Sequence, residues 1–119
     1  MPLKISTREV NGITVVDCAG RIVFGEEAFA LRDTVKALLT QPRNIVLNLS
    51  SVSYIDSGGL GTLVGLYTSA RTAGGSVRLA ALNSRVIDLL QITKLVTVFD
   101  VFDNVEEAVA SFSVAAGAA

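Results

Sequence analysis

A serine flanked by a carboxylate and two glycines, Asp56-Ser57-Gly58-Gly59, is the stretch of this chain best suited to chemistry. A serine hydroxyl acts as a nucleophile in acyl transfer when a neighbouring base, usually histidine, takes its proton. The chain has no histidine, and its lysines lie far from Ser57 in sequence. A serine hydrolase is therefore excluded, and the hydroxyl is either a phosphate acceptor or a helix cap.

The composition indicates one globular domain and excludes several functions. Half of the 119 residues are hydrophobic and 18% are charged, which is enough apolar material for a core. Ten basic and eleven acidic residues give a net charge of −1 without a basic run, so we expect no nucleic-acid partner. The lone Cys18 and the lack of histidine argue against disulfides, a metal site and a cofactor. No signal peptide or membrane span is recognisable, so we expect no membrane contact and a cytoplasmic protein.

Short apolar runs and alternation of polar with apolar residues predict five strands. They cover residues 4–10, 13–19, 44–49, 76–82 and 96–99. Asn11-Gly12 separates the first two strands and is a strong signal for a hairpin. Apolar positions at helical spacing predict four helices. They cover residues 24–39, 58–73, 84–90 and 105–112.

The order β-β-α-β-α-β-α-β-α predicts an α/β domain in which a mixed β-sheet of about five strands is covered by about four helices. After the opening hairpin, strands alternate with helices, and this alternation favours parallel pairing through right-handed crossovers. We expect a single domain over residues 1–113. Residues 114–119 carry neither charge nor periodicity, and we expect them to form a disordered tail.

In this layout Ser57 lies between a buried strand and the start of a helix, where open α/β sheets commonly place functional loops. Its hydroxyl would cap the helix, and Asp56 would be a cap or turn residue. Alternatively, the free N–H groups and the dipole of the helix would favour a phosphate on Ser57, with Asp56 fixing the hydroxyl. Gly58, Gly59 and Gly61 would then let a partner approach closely. Position alone leaves both interpretations open.

The strand, the DSGGLG loop and the following helix, together with the order of all elements, resemble the STAS domains of bacterial anti-sigma factor antagonists. Residues 44–67 are similar to that family's central strand, phosphoacceptor loop and second helix, and residues 73–112 to its remaining elements. The resemblance thus covers nearly the whole chain. In that family the residue directly after the aspartate of this loop is phosphorylated by an anti-sigma kinase, which implies that Ser57 is the phosphoacceptor.

Two positions depart from the family's pattern. The family often has serine or threonine directly after the phosphoacceptor, whereas this chain has Gly58 and lacks a second hydroxyl. The family's turn after the second strand is often acidic, whereas Arg21 and Val23 stand here. Recognition of a partner at that edge is therefore expected to differ. The residues expected to contact the partner are Asp56, Gly58, Gly59, Gly61, Thr62, Arg21 and Val23.

The resemblance implies a phosphorylation-switched anti-anti-sigma factor and not an enzyme. Unmodified, it would bind an anti-sigma factor with serine kinase activity and free a sigma factor for transcription; phosphorylation of Ser57 would end binding, and a phosphatase would restore it. We expect a monomer or weak dimer. The alternative is a constitutive STAS scaffold or interaction module in a sensory or transport assembly, without a phosphate cycle. A small α/β enzyme or nucleotide binder is a third hypothesis, but the chain has no GxGxxG motif, P-loop or histidine to support it.

Overall fold

The computed structural model describes the backbone of residues 3–117 and the side chains of residues 3–112. The strands are β1 Lys4–Val10, β2 Ile13–Ile22, β3 Asn44–Ile55, β4 Ser76–Ala80 and β5 Val101–Phe102. The helices are α1 Glu26–Leu38, α2 Ser57–Thr72, α3 Ser84–Ile92 and α4 Val105–Gly117, with a 3₁₀ turn at Leu95–Thr97. One mixed five-stranded sheet with four helices in the predicted order confirms the fold class. Of the predicted tail, residues 114–117 are described only as backbone at the end of α4, and residues 118–119 lie outside the described residues, so the disordered tail stays a prediction.

The sheet is built from one hairpin followed by parallel strands. Asn11 and Gly12 have φ angles of 51° and 80°, the left-handed values that a two-residue Asn-Gly hairpin turn requires. They place Val10 opposite Ile13 in the β1–β2 register. Strands β2 to β5 then pair in parallel, and the spatial order is β1-β2-β3-β4-β5. The carboxyl ends of β2 and β3 therefore lie at the same edge, directly before α1 and α2.

Helices cover both faces of the sheet, because successive residues of a strand point to opposite sides. On β3, Ile45 and Leu47 pack with α1, α2 and α3, whereas Val46 between them packs with α4. All three side chains are fully buried. The continuous apolar run of this strand thus reflects burial on both faces, as is typical of parallel strands.

Strand β3 runs from Asn44 to Ile55 and is longer than the predicted 44–49. Strand β4 accompanies it only as far as Asn48, so the second half of β3 pairs with β2 alone. In that half Val52 and Ile55 are buried, whereas most of the polar residues around them are exposed. The polar residues of 50–54 therefore belong to a half-exposed strand and not to a loop.

The prediction of a last strand over residues 96–99 is wrong. The chain forms a 3₁₀ turn there, and the last strand is Val101–Phe102. Lys94 adopts a φ of 63° just after α3. Phe99 then enters the core and lies edge to face with Tyr67, with ring centroids 5.6 Å apart. Short apolar runs do not distinguish a buried strand from another buried segment, which is why the sequence pattern failed here.

Helix α1 begins at Glu26, two residues later than predicted. Gly25 precedes it with a φ of 111°, a value that favours glycine. Phe24 was expected on the apolar face of this helix, but it lies before the helix with 70% of its surface exposed. Phe24 is thus an exposed aromatic residue at the edge of the sheet where β2 and β3 end.

Candidate functional site

Asp56 fixes the junction between β3 and α2. It is the N-cap of α2, and its Oδ1 accepts a hydrogen bond of 2.7 Å from the backbone N–H of Gly59. Both carboxylate oxygens also accept the backbone N–H of Phe24, each at 3.1 Å. The N–H of Asp56 donates in turn to the carbonyl of Ile22. One carboxylate therefore ties the start of α2 to the turn between β2 and α1.

Ser57 is the first residue of α2, and its side chain is exposed. Within residues 3–112 its hydroxyl has no hydrogen-bond partner. One interpretation of the sequence made Ser57 the helix cap, but Asp56 makes the capping bond instead. The hydroxyl is thus open to solvent at the positive end of a helix. It is chemically available to an enzyme that docks on this edge.

Gly58 and Gly59 are needed for packing. A Cβ on Gly59 would lie 2.0 Å from the carbonyl oxygen of Ile22, and a Cβ on Gly58 would lie 2.4 Å from the Cβ of Phe24. Both distances are far below van der Waals contact, so α2 and the β2–α1 turn approach each other only because residues 58 and 59 lack side chains. The space that a side chain would take at either position is thus filled by the chain itself, and contact of these two glycines with a partner stays a prediction.

Gly61 and Thr62 lie on the next turn of α2. Gly61 is exposed, and a Cβ there would meet none of the described residues within 4 Å, so the surface is open at this position. Gly65, one turn further, is equally open. The half-buried Thr62 donates its hydroxyl to the carbonyl of Gly58 at 3.1 Å, so its donor is used within the helix.

Arg21 and Val23 lie at the end of β2, next to the same junction. Arg21 is exposed and stands opposite Tyr54 in the parallel register with β3. Val23 is half-buried, and its carbonyl accepts the N–H of Ala28 in α1. The fold thus brings the two predicted segments, about 35 residues apart in sequence, to one edge of the sheet. Phe24 belongs to this group as well, but the sequence pattern placed it inside the predicted helix 24–39 and gave no sign of this role.

Two concave surfaces lie on either side of this junction. A cavity of about 490 Å³ separates it from α3, and its lining includes Tyr54, Ser57, Arg85 and Ile92. Asn83 holds α3 there as its N-cap, accepting from the N–H of Val86 and donating to the carbonyl of Val52. A second groove, of about 320 Å³, runs between α1 and α2. It is lined by Phe24, Arg32, Lys36, Gly58, Gly61, Thr62, Gly65, Leu66 and Ser69.

The described part of the chain offers little for metal or thiol chemistry. No group of three or more His, Cys, Asp or Glu residues in it is arranged to hold a metal ion. Burial raises the pKa of the Cys18 thiol to about 12, which leaves it protonated and unreactive at neutral pH. None of the described helices combines the length and the apolar character that a membrane span requires.

The fold is that of a STAS domain, whose family model matches residues 4–108. The chain is 33% identical over 102 residues to the anti-sigma-B factor antagonist of Bacillus subtilis, covering 85% of this chain and 92% of that protein. The chain therefore belongs to the STAS family, in the group of the anti-sigma factor antagonists.

Solved structures agree with this assignment at the level of the fold. An anti-sigma factor antagonist from Mycobacterium paratuberculosis superposes with a TM-score of 0.80 at 22% identity, over 92% of each chain. The Bacillus cell fate determinant SpoIIAA in its phosphorylated form superposes with a TM-score of 0.70 at 18% identity, over 92% of this chain and 99% of that one. The arrangement of strands and helices found here is thus also that of a phosphorylated protein.

Proposed function

We propose that this chain binds an anti-sigma factor with serine kinase activity, and that phosphorylation of Ser57 ends the complex. The observation that carries the proposal is the exposed Ser57 hydroxyl at the first residue of α2, which has no hydrogen-bond partner among the described side chains because Asp56 caps the helix. A kinase reaches such a hydroxyl without unfolding the domain. The similarity to an anti-sigma-B factor antagonist supports this class of partner.

The switch is electrostatic. A phosphate on Ser57 adds about 1.5 to 2 negative charges at neutral pH. In the free chain it lies at the N-terminus of α2, where backbone N–H groups and the helix dipole stabilise it, so the fold stays unchanged. In a complex the same charge must be desolvated beside the carboxylate of Asp56, which costs several kcal/mol. The complex therefore dissociates, and a phosphatase restores binding.

The partner contacts the edge that carries the phosphoacceptor. Gly61 offers open backbone there, Arg21 and Val23 approach from the end of β2, and Thr62 and Gly58 flank the serine on α2. Release of the sigma factor makes the chain a regulator of transcription in the cytoplasm, acting as a monomer or weak dimer without enzymatic activity of its own.

Intact-mass measurement tests the phosphate acceptor. The chain is incubated with ATP and each anti-sigma serine kinase of its own organism. Wild type gains the mass of one phosphate, and Ser57→Ala gains none. Ser53→Ala is the matched control, because Ser53 is exposed like Ser57 but lies on the last part of β3. The Ser53→Ala variant gains one phosphate, as wild type does. Phosphate on Ser57→Ala would place the acceptor elsewhere.

Calorimetric titration tests the switch. Ser57→Asp binds the kinase at least about 10-fold more weakly than wild type, a loss of about 1.4 kcal/mol. Ser57→Ala binds like wild type but is not released by ATP. Equal affinities of Ser57→Asp and wild type would show that charge at this position is not the switch.

The constitutive scaffold remains the second candidate, and two substitutions relative to the family favour it. Gly58 removes a hydroxyl beside the acceptor, and the turn with Arg21 and Val23 lacks the family's acids. A scaffold of this kind gains no phosphate from any of the kinases and still binds an assembly of larger proteins. The mass measurement therefore decides between the two functions.

A further inference from the structure

Phe24 is a large apolar side chain held in a fixed position on the surface. It is 70% exposed, although its backbone N–H is bound by both oxygens of Asp56. Its ring meets Phe29 edge to face, with centroids 5.6 Å apart. Phe29 is 40% exposed, and the guanidinium of Arg32 lies over its ring, 4.8 Å from the ring centroid. The exposed aromatic pair is therefore ordered before any partner arrives, which lowers the entropic cost of binding.

The same phenylalanine explains why residue 58 is a glycine. A Cβ at residue 58 would lie 2.4 Å from the Cβ and 2.9 Å from the Cδ1 of Phe24. A serine or threonine there is incompatible with this position of Phe24. The chain thus presents an aromatic ring beside Ser57.

The groove next to Phe24 is open and basic. Gly61 and Gly65 form its floor, and a Cβ at either position would meet none of the described residues within 4 Å. Arg32 and Lys36 stand on its α1 side, and its lining within the described residues contains no carboxylate. Arg32 contacts Asp33 on the exposed side of α1, at 3.3 Å. A complementary occupant is therefore apolar along the glycine floor and carries carboxylates opposite Arg32 and Lys36.

We propose that Phe24 is the aromatic anchor by which this chain selects its partner, and that the groove between α1 and α2 receives an apolar segment with acidic residues from that partner. The inference rests on the proposed function, because the partner is the anti-sigma kinase. Phe24 and Ser57 sit on either side of one carboxylate, Asp56, so the anchor and the phosphoacceptor belong to the same contact surface. Aromatic residues commonly dominate the binding energy of an interface.

Calorimetric titration of the kinase with single variants tests the anchor. Phe24→Ala weakens binding about 30-fold or more, the loss expected for a hot-spot residue. The backbone bond to Asp56 survives this change, so the thermal midpoint stays close to that of wild type. Val96→Ala is the matched control: Val96 is an exposed apolar residue outside both concave surfaces, and its variant binds within about twofold of wild type.

Two further variants test the groove and the opposite surface. Gly65→Leu fills open space on the groove floor, so it folds but binds at least about 10-fold more weakly. Ile92→Ala removes an exposed apolar side chain from the α3 cavity and leaves affinity unchanged.

The outcomes separate this inference from the proposed function. Affinity lost in Ile92→Ala and kept in Phe24→Ala places the partner on the α3 side and overturns the inference alone. Wild-type affinity in Phe24→Ala, with phosphorylation of Ser57 intact, does the same. If wild type binds none of the kinases, the proposed function fails and the anchor fails with it.

Discussion

Replacing Asp56 by alanine removes two connections at once, and their separate contributions can be measured. The first is the helix cap, the bond from Gly59 at 2.7 Å, whose loss typically costs about 1 kcal/mol. The second is the pair of 3.1 Å contacts with the N–H of Phe24, a bond to a charged group, for which about 1.5 kcal/mol is expected at a half-exposed position. We therefore expect Asp56→Ala to lower the free energy of unfolding by about 2–3 kcal/mol.

A second helix cap in the same chain provides the control. Asn104 precedes α4 and accepts the N–H of Glu107 at 2.8 Å, and within the described residues its side chain makes no bond to a distant segment. Asn104→Ala should therefore cost about 1 kcal/mol, the value of a cap alone. The difference between the two variants, about 1.5 kcal/mol, measures the bond that joins α2 to the β2–α1 turn.

Urea unfolding followed by circular dichroism gives both free energies, and thermal unfolding gives a second estimate. For a domain of this size, 1 kcal/mol corresponds to about 4 °C in the melting temperature, so Asp56→Ala melts about 8–12 °C below wild type. Asn104→Ala melts about 4 °C below it. If the two variants lose equal stability, the contact between Asp56 and Phe24 contributes nothing. The coupling between the start of α2 and the β2–α1 turn is then refuted.

Two other predictions concern packing and pH. Gly58→Ala lowers stability by about 1–3 kcal/mol because its Cβ meets that of Phe24 at 2.4 Å, and adding Phe24→Gly recovers most of the loss in a double-mutant cycle; additive losses would contradict the contact. The pKa of Asp17 is lowered chiefly by its hydrogen bond with Arg8, so this pair stabilises the fold above the ordinary carboxyl value of 3.8 and the effect is lost as pH falls through the lowered pKa. Because the pair is partly exposed, Arg8→Ala costs under about 1 kcal/mol at pH 7 and progressively less as the pH falls below 3.8 and through the lowered pKa of Asp17. Urea unfolding over a series of pH values measures this decline; a loss that stays constant with pH would assign the effect to packing.

The amino-acid sequence alone determined the features whose signals are local. The Asn11-Gly12 turn, the alternation of strands and helices and the position of Ser57 at a strand–helix junction follow from side-chain periodicity and turn chemistry within a few residues. The order of elements, with the loop around Asp56 and Ser57, was enough to identify the family. Local signals failed at residues 96–99, where a short apolar run is equally compatible with a strand and with a buried 3₁₀ turn.

Only the tertiary structure decided how the site is held together. The bond from the backbone of Phe24 to Asp56 joins positions 32 residues apart, and neither residue type predicts the other. The same close approach explains Gly58, which in the sequence is only a missing hydroxyl, and it leaves the ring of Phe24 on the surface although its apolar character predicts burial. Such contacts depend on how β2 and β3 bring their ends together, and the free energy of that packing is a property of both segments jointly, so no pattern within either segment contains it.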